Sequence, residues 1–428
     1  MIPRHEQTQL STEDAARLHM SMADNPMLVT GLALLERPIH FDELVSRLDE
    51  RLASHRRLRQ LVIEPRFGVG MPRWREDPSF DVLHHVHHID LALMPRRPPL
   101  DEVVGDLSTI PLSRGRPLWR VHLIDGPQPA VMFVIHHALT EGAALPALVR
   151  MLVDEEARAP QASRERTPTL RGRARELAAG TVAAVKLATR RADPTTRLKG
   201  SMSERKQLAF SSALPLEELE STARAMRASV TELLLAAVTG ACRAELSRDA
   251  SADGLILHAL VPVGFGDDEP APDRDGADIV ELPVGTADLG ARLHHIRRTA
   301  GALRSRGAAR RPGEGASGAR IATAAGALSA MLQRASVTFF SRRASVVVST
   351  VRGPTSPQRL CGAAVRDLFV WAPAAGTITL SVTLVTYAGH ARIGVAADAR
   401  TVGSARRVVA ELESELDNMR TFASSARA

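Results

Sequence analysis

Cysteine, lysine and aromatic residues are scarce in this chain of 428 residues. Its two cysteines, Cys242 and Cys361, cannot form a disulfide framework, so the sequence favours a reducing compartment. Aromatic residues make up 3% of the chain, which argues against a protein that stacks single-stranded nucleic acid on rings. Basic residues outnumber acidic ones, 55 against 48, and the pI is about 10.4. Because no nucleic-acid-binding motif accompanies this charge, we expect no nucleic-acid partner.

Hydrophobic runs of the kind that cross a membrane or direct secretion are also missing. Residues 1–16 are polar, unlike a signal peptide, so we expect a cytoplasmic protein. The longest uncharged stretch, Leu368–Ala391, contains Pro373. Its apolar residues alternate with threonine and serine from residue 377 to 384, and this period of two indicates a strand rather than a membrane helix.

The remaining composition is that of an ordinary globular protein, with 44% hydrophobic and 24% charged residues. Helical and strand patterns alternate along the chain, which predicts an α/β fold, and the length suits two or three domains. Residues 160–206 are rich in arginine and poor in large apolar residues. We therefore predict an N-terminal half over 1–160, a basic linker or crossover over 161–206, and a C-terminal half over 207–428.

The clearest strand signal is the apolar run Ala130–His136, which is typical of a central strand buried on both faces. Helical spacing predicts helices near Phe41–Arg57 and Thr231–Leu246, the second capped by Ser229 or Thr231. Weaker patterns predict helices at Ala143–Glu156, Leu216–Arg227, Leu289–Leu303, Ile321–Arg334 and Ser404–Met419, and strands at Pro117–Asp125, Gln207–Leu214, Leu255–Val263, Ser345–Val351, Thr377–Tyr387 and Ala391–Ala396.

The segment HHALTEG, residues 136–142, follows the buried strand and precedes a predicted helix. Neighbouring side chains at a strand end point to opposite sides, so one of His136 and His137 can face a cleft while the other packs. Glu141 lies four residues after His137, and Gly142 permits a tight turn into the helix. The alternative to a catalytic histidine is a structural one with its hydrogen bonds satisfied.

HHALTEG resembles the HHxxxDG motif of the acyltransferase superfamily that includes chloramphenicol acetyltransferase, peptide-synthetase condensation domains and bacterial wax ester synthase/diacylglycerol acyltransferases. Four further segments resemble the last family, and together they extend the resemblance over almost the whole chain. They are Leu10–Ala15 with Leu18–Met20 (LSxxDAxFLHxE), Pro111–Trp119 (PLDRSRPLW), Ser349–Pro354 (SNVPGP) and Tyr387–Gly389 (SYAG).

This resemblance implies an α/β (α+β) fold of two chloramphenicol-acetyltransferase-like halves, each a mixed sheet flanked by helices, with the active site at their interface. It implies that His137 is a general base for an acceptor hydroxyl, which attacks an acyl-CoA thioester without an acyl-enzyme. A histidine, whose ordinary pKa is near 6.5, can accept that proton at neutral pH. No metal and no permanently bound cofactor is implied, and acyl-CoA is a co-substrate.

The residues that the resemblance assigns to the site come from both halves. Ser349 and Thr350 are candidates for binding substrate and stabilising the oxyanion. The catalytic candidates are His136, His137, Glu141 and Gly142.

The chain departs from the family pattern at four places, which suggests an altered substrate or a weakened enzyme. Glu141 replaces an aspartate whose role is to hold the loop through an arginine, and the extra methylene moves the carboxylate by about 1.5 Å. Thr231-Glu232 stands for Asn-Asp, Gly276-Ala277 for Gly-Asn, and Thr350 for Asn.

Two other groups of residues allow different interpretations. The histidines of His84–His88 suggest zinc, but strand alternation divides them between two faces and no cysteine or carboxylate cluster completes four ligands. Arginines within Gly301–Arg343, beside Phe339 and Phe340, could face a membrane or lipid-droplet surface, or could belong to a solvated helix.

The sequence thus leads to an O-acyltransferase that moves a fatty acyl group from CoA to a long-chain alcohol or diacylglycerol. Two alternatives stay open: an acyltransferase for a non-lipid acceptor in secondary metabolism, and a catalytically weak paralogue that binds acyl ligands. The sequence leaves the acyl length, the acceptor and the oligomeric state undetermined.

Overall fold

The computed structural model describes most of the chain outside a few segments. The described residues are 7–52, 55–65, 70–139, 153–154, 191–249, 251–262, 277–308, 341–374 and 376–425. Seven α-helices form within them: α1 (Thr12–His19), α2 (Phe41–Leu52), α3 (Leu100–Thr109), α4 (Leu216–Ala225), α5 (Val230–Leu246), α6 (Leu289–Ala308) and α7 (Ala405–Ser425). Four short 3-10 helices span Arg56–Arg59, Val82–His84, Leu91–Leu93 and His137–Leu139.

Sixteen strands lie in the same part of the chain. They are β1 (Thr8–Gln9), β2 (Leu28–Leu35), β3 (Gln60–Ile63), β4 (Arg73–Glu76), β5 (Val86–Asp90), β6 (Trp119–Asp125), β7 (Ala130–His136), β8 (Lys206–Phe210), β9 (Leu214–Pro215), β10 (Leu257–Pro262), β11 (Ala277–Leu282), β12 (Val346–Arg352), β13 (Arg359–Leu360), β14 (Ala363–Trp371), β15 (Leu380–Tyr387) and β16 (His390–Asp398).

The first large sheet has the strand order β13-β14-β2-β7-β6-β5. Its strands are antiparallel except for the parallel pair β5 and β6, so the sheet is mixed. Strand β7 lies at its centre between β2 and β6, and every residue of β7 is buried. The register places the Cα of His136 opposite the Cα of Leu28.

The second large sheet has the strand order β11-β10-β12-β15-β16-β8, with the short β9 also paired to β16. Strand β12 runs parallel to both β10 and β15, and the other pairings are antiparallel. A small sheet of β1, β4 and β3 is separate. The predicted architecture of two mixed sheets flanked by helices is confirmed.

Strands β13 and β14 cross from one half of the sequence to the other. They lie within residues 207–428, yet β14 pairs with β2 in the first sheet. The Trp371 indole at the end of β14 donates a hydrogen bond to the carbonyl of Ala209 in β8, 3.0 Å away. The two sheets are therefore joined through β14, while the proposed boundaries 1–160, 161–206 and 207–428 stay a prediction.

Helix α5 is the central helix of the second half, and most of its side chains are buried. Ser229 caps it: the Ser229 hydroxyl accepts from the Glu232 N–H at 3.2 Å, and the Glu232 carboxylate accepts from the Ser229 N–H at 2.8 Å. This reciprocal capping box selects Ser229 over Thr231 as the cap. It also gives Glu232 a local structural reason for its presence where the family pattern has aspartate.

No single described helix is long and apolar enough to cross a membrane. Helices α4 and α5 reach the length and apolar composition of a membrane-spanning helix only when they are taken together, and the chain bends by 88° at the break between them.

Asp193 anchors the segment 191–206, which leads into the second half of the chain. Its buried carboxylate accepts hydrogen bonds from the His258 N–H at 3.0 Å and the Ser345 hydroxyl at 2.6 Å, and contacts His258 Nδ1 at 2.5 Å. The N–H of Asp193 donates to the carbonyl of Arg342. Residues 191–206 are thus anchored to β10 and to the start of β12.

Gly394 lies in β16 and faces the end of β14 in the first sheet. A Cβ at this position would lie 2.6 Å from the Val370 carbonyl oxygen and 2.9 Å from the Trp371 indole nitrogen. We expect Gly394→Ala to lower the free energy of unfolding by about 1–3 kcal/mol, because backbone atoms must move apart. Gly301→Ala in α6 is the control: a Cβ there has no neighbour within 4 Å, so helix propensity should stabilise it by about 0.5–1 kcal/mol. Equal melting temperatures of the two variants would contradict this account.

Several predicted elements are confirmed with small shifts at their ends, and strand Ala130–His136 is observed at the predicted residues. The helix predicted to Arg57 ends at Leu52, before a 3-10 turn at Arg56–Arg59. The predicted helix Ile321–Arg334, and Ala143–Glu156 apart from residues 153 and 154, lie outside the described residues.

Candidate active site

The two histidines of HHALTEG lie where β7 leaves the centre of the first sheet. His136 is the last residue of β7 and His137 begins the 3-10 turn His137–Leu139. The N–H of His137 donates to the carbonyl of Met27, 2.8 Å away, just before β2. Met27 has a φ of 52°, an unusual value for a side-chain-bearing residue, so the turn rests against a strained backbone segment.

The His136 side chain is buried, with 2% of its surface exposed. Its Nδ1 accepts a hydrogen bond from the Ala138 N–H at 3.0 Å, so the neutral ring carries its proton on Nε2. That Nε2 is buried and has no hydrogen-bond partner in the described part of the chain. Burial, with smaller contributions from Arg114 and His137, lowers the pKa of His136 to about 3.

His137 lies next to helix α1. Burial first, and then the charge of Arg17, lower the pKa of His137 to about 3, so the ring is neutral at pH 7. The Arg17 guanidinium is held 3.1 Å from the carboxylate of Asp14, which is itself buried. The Ser11 hydroxyl accepts from the Asp14 N–H at 3.0 Å and caps α1.

Asp14 and Arg17 are site neighbours that we did not predict. Ser11 and Asp14 belong to the LSTEDA segment. This segment resembles the opening of the family sequence, but the resemblance assigned no function to either residue. The spacing of an aspartate three residues after a capping serine is the sequence signal that could have identified Asp14.

A cavity that is partly open to solvent lies between the sheets. Leu28, the Cα partner of His136, forms part of its wall, so the cavity lies beside the end of β7. The Asn25 side chain also lines it and donates to the Ala374 carbonyl at 2.6 Å, which links the loop before β2 to the chain after β14. Apolar lining comes from both halves of the sequence: Leu28, Met202, Leu208, Trp371, Ile378 and Ala396.

Ser349 and Thr350 lie in β12 and, as neighbours on a strand, face opposite sides of the second sheet. The Ser349 hydroxyl is buried and lies 2.9 Å from the hydroxyl of Thr383, its partner in β15. Two residues further along the same face, Val385 packs in the core of the first sheet. Ser349 therefore faces the first half, whereas Thr350 lies on the face that packs against α5 and α7.

Glu141 and Gly142 lie outside the described residues, as does Gly276. Ala277 begins β11. The structure places His136 and His137 at one end of β7, and Ser349 on the side of the second sheet that faces the first. The cavity reaches this end of the first sheet through Leu28, and neither histidine is among the residues that line it.

The histidines of His84–His88 are held by different groups. His85 stacks on Trp119 and its Nδ1 lies 2.9 Å from the Trp119 carbonyl oxygen. His88 pairs with Asp125 at 2.6 Å, and His87 lies against His122. Within the described residues, no group of three or more histidine, cysteine or acidic side chains is arranged to hold a metal ion.

The depressed pKa values predict a loss of stability in acid. Burial lowers the pKa of both His122 and His136 to about 3, whereas the unfolded chain titrates near 6.5. Below pH 6.5 the unfolded chain therefore binds protons that the folded chain does not. Stability should be complete above pH 6.5 and fall towards pH 3, by up to about 1.4 kcal/mol per pH unit for each histidine.

The measurement is the free energy of unfolding from pH 8 to pH 4, for the protein and for His122→Gln. We expect a shallower slope for His122→Gln, and the full slope for His390→Gln, which changes an exposed histidine. Identical slopes for the protein and His122→Gln would contradict this explanation.

Comparison with known proteins identifies the family. The model of the wax ester synthase/diacylglycerol acyltransferase catalytic domain matches residues 10–248, and that of the family's C-terminal domain matches residues 276–420. The chain belongs to the wax ester synthase/diacylglycerol acyltransferase family and is an acyltransferase.

Individual relatives agree with this result. A Mycobacterium tuberculosis protein named a probable diacylglycerol O-acyltransferase is 28% identical over 94% of this chain and 92% of its own length. The solved structure of a wax ester synthase/diacylglycerol acyltransferase from Marinobacter aquaeolei VT8 superposes with a TM-score of 0.70 at 23% identity, covering 97% of this chain and 100% of that one. A condensation domain of the calcium-dependent antibiotic synthetase shares the fold, with a TM-score of 0.58 at 16% identity over 99% and 97% of the two chains.

Proposed function

We propose that this acyltransferase moves a fatty acyl group from acyl-CoA to the hydroxyl of diacylglycerol or a long-chain alcohol. The observation that supports the proposal is a largely apolar cavity, lined by both halves of the chain, that reaches Leu28, the Cα partner of His136 at the end of β7. An apolar cavity suits a fatty acyl chain, because burying methylene groups is favourable. The mycobacterial relative named a diacylglycerol O-acyltransferase supports diacylglycerol as the acceptor.

In the proposed reaction His137 accepts the proton of the acceptor hydroxyl while the oxygen attacks the thioester carbonyl. The tetrahedral intermediate collapses, the C–S bond breaks, and the proton on His137 passes to the CoA thiolate. A neutral His137 is ready to accept this proton at pH 7. The negative charge that develops on the intermediate then favours the imidazolium form.

A hydroxyl donor is needed for the oxyanion, and Ser349 is favoured because it faces the first sheet and is already paired with Thr383. Thr350, the other candidate, is disfavoured because its side chain lies on the opposite face of the sheet. Glu141 and Gly142 are proposed to shape the turn after His137, with Glu141 held by an arginine.

Direct transfer is supported by the state of the two thiols. Burial raises the pKa of Cys242 to about 12, and burial together with Asp154 raises the pKa of Cys361 to about 11. Neither cysteine is a thiolate at neutral pH, so neither is activated to form an acyl-enzyme.

A lipid acceptor requires that the enzyme work at a lipid surface. We therefore propose a cytoplasmic protein that associates peripherally with a membrane or lipid droplet.

The acceptor class is tested by thiol release from palmitoyl-CoA with diacylglycerol, hexadecanol, or chloramphenicol as an amphipathic non-lipid alcohol. We expect release with the lipid acceptors above the rate without acceptor, and none above that rate with chloramphenicol. Thiol release with chloramphenicol but with neither lipid would indicate a non-lipid acceptor. Absence of thiol release with all three alcohols would contradict the proposed function.

A further inference from the structure

We propose that the end of the first sheet that carries His136 docks on an anionic phospholipid bilayer. The docking rim consists of Met22, Leu83 and Ile110 with Arg114 and Arg116. The three apolar side chains are 47%, 54% and 46% exposed. This inference rests on the proposed lipid acceptor and adds the surface through which the enzyme reaches it.

Met22 lies above β2, at the same end of the sheet as His136. It precedes Leu28, the Cα partner of His136, by six residues. Backbone hydrogen bonds in both directions between Met22 and Asn25 hold the loop in place. The exposed methionine is therefore fixed beside the wall of the cavity, which includes Asn25 and Leu28.

Ile110 lies above β6 at the same end. Its carbonyl accepts a hydrogen bond from the Arg120 guanidinium at 3.1 Å. Arg120 is the Cα partner of Val134, two residues before His136. Ile110 is thus tied to the strand that neighbours β7.

Leu83 lies in the 3-10 helix just before β5, the next strand of the sheet. The carbonyl of His84, the following residue, accepts from the Arg116 guanidinium at 3.3 Å, which ties Leu83 to the arginine loop. Because neighbouring strands lie about 5 Å apart, β2 to β5 place these apolar side chains across roughly 15 Å of one sheet end.

Basic side chains accompany the apolar side chains of the rim. Arg114 and Arg116 are both exposed, and they lie in the loop that leads into β6. Two carboxylates lie beside the rim: Glu64 is 3.8 Å from Arg114 and 58% exposed, and Asp81 accepts from the Leu83 N–H at 2.9 Å. Exposed apolar side chains beside arginines are the combination that binds an interface containing anionic lipids.

The placement gives the lipid acceptor a short route. A bilayer against this rim faces the same end of the sheet as His136 and the cavity. A diacylglycerol molecule leaving that bilayer enters the protein without exposing its chains to bulk water.

The opposite end of the same sheet provides a matched control. There Leu93 is 82% exposed and Met94 36% exposed, and Arg96 and Arg97 follow after Pro95. This second surface has the same chemistry but lies at the end of β5 remote from His136.

The test is co-sedimentation of the full chain with phosphatidylcholine vesicles that contain or lack phosphatidylglycerol. We expect Leu83→Asp with Ile110→Asp to weaken binding to the anionic vesicles about 10-fold, and Leu93→Asp with Met94→Asp to change it less than about 2-fold. Binding of the protein should fall as salt rises, and neutral vesicles should bind less. Loss of binding in the Leu93 and Met94 variant alone, or in neither variant, would overturn the proposed rim.

A second measurement separates this surface from the proposed function. Thiol release with hexadecanol dispersed in a neutral detergent should be equal in the protein and in the Leu83 and Ile110 variant, while release with vesicle-borne diacylglycerol should fall. Normal vesicle binding through the rim without any thiol release would reject the proposed function alone. Thiol release with vesicle binding unchanged in the variant would reject the rim alone.

Discussion

His137→Ala is expected to reduce acyl transfer by about 100- to 10,000-fold while the protein stays folded, because the variant lacks the proposed general base. His137 begins a 3-10 turn whose backbone hydrogen bond to Met27 does not depend on its side chain. The melting temperature should therefore stay close to that of the unchanged protein. The measurement pairs the rate of thiol release with thermal unfolding.

His136→Ala is the matched control, because it removes the neighbouring imidazole. His136 is buried and its Nδ1 satisfies the N–H of Ala138, so truncation leaves a cavity and an unsatisfied donor. We expect a loss of about 1–3 kcal/mol in the free energy of unfolding, with activity falling less than in His137→Ala. Full activity of a folded His137→Ala protein would contradict the mechanism.

Asp193→Ala is expected to produce the largest loss of stability, about 2–4 kcal/mol, because the buried carboxylate satisfies several groups at once. Its removal leaves the His258 N–H and the Ser345 hydroxyl without their acceptor. His258 lies in β10 and Ser345 directly precedes β12, its neighbour in the second sheet, so the loss should spread beyond the anchored segment. The measurement is the midpoint of chemical unfolding.

Asp106→Ala provides the comparison, because this aspartate in α3 is 60% exposed and lies 3.8 Å from Arg205. An exposed pair of this kind contributes little, so its midpoint should hardly move. Equal shifts in the two variants would show that Asp193 does not anchor the second sheet.

Elements with a strong local pattern could be predicted from the sequence. Ala130–His136 is a continuous apolar run bounded by turn residues, and the observed strand has the same ends. The helix Val230–Leu246 begins within one residue of its predicted start, since Ser229 supplies a local capping signal.

The pairing that joins the halves could not be predicted. Strand β14 pairs with β2 although more than 300 residues separate them, and neither was predicted as a strand. Two distant strands pair because the pairing buries both faces of the sheet in the folded core. Patterns within a short stretch of sequence contain no information about such a partner. The same limit applies to Asn25, whose partner Ala374 lies far along the chain.

The candidate site was predictable as far as its motif extends. His136 and His137 leave a buried strand as expected, while Asp14 and Arg17 reach His137 only through the packing of α1. Among the departures from the family pattern, Glu232 is explained by its capping box. The role of Glu141 stays a prediction.

The most direct measurement of the central claim follows both products of one reaction. The protein is incubated with isotopically labelled palmitoyl-CoA and diacylglycerol, and free thiol and labelled triacylglycerol are quantified together. Direct transfer predicts one triacylglycerol for each thiol, a rate that depends on diacylglycerol, and no labelled protein. Thiol release that is independent of diacylglycerol, or a protein that carries the labelled acyl group, would contradict it.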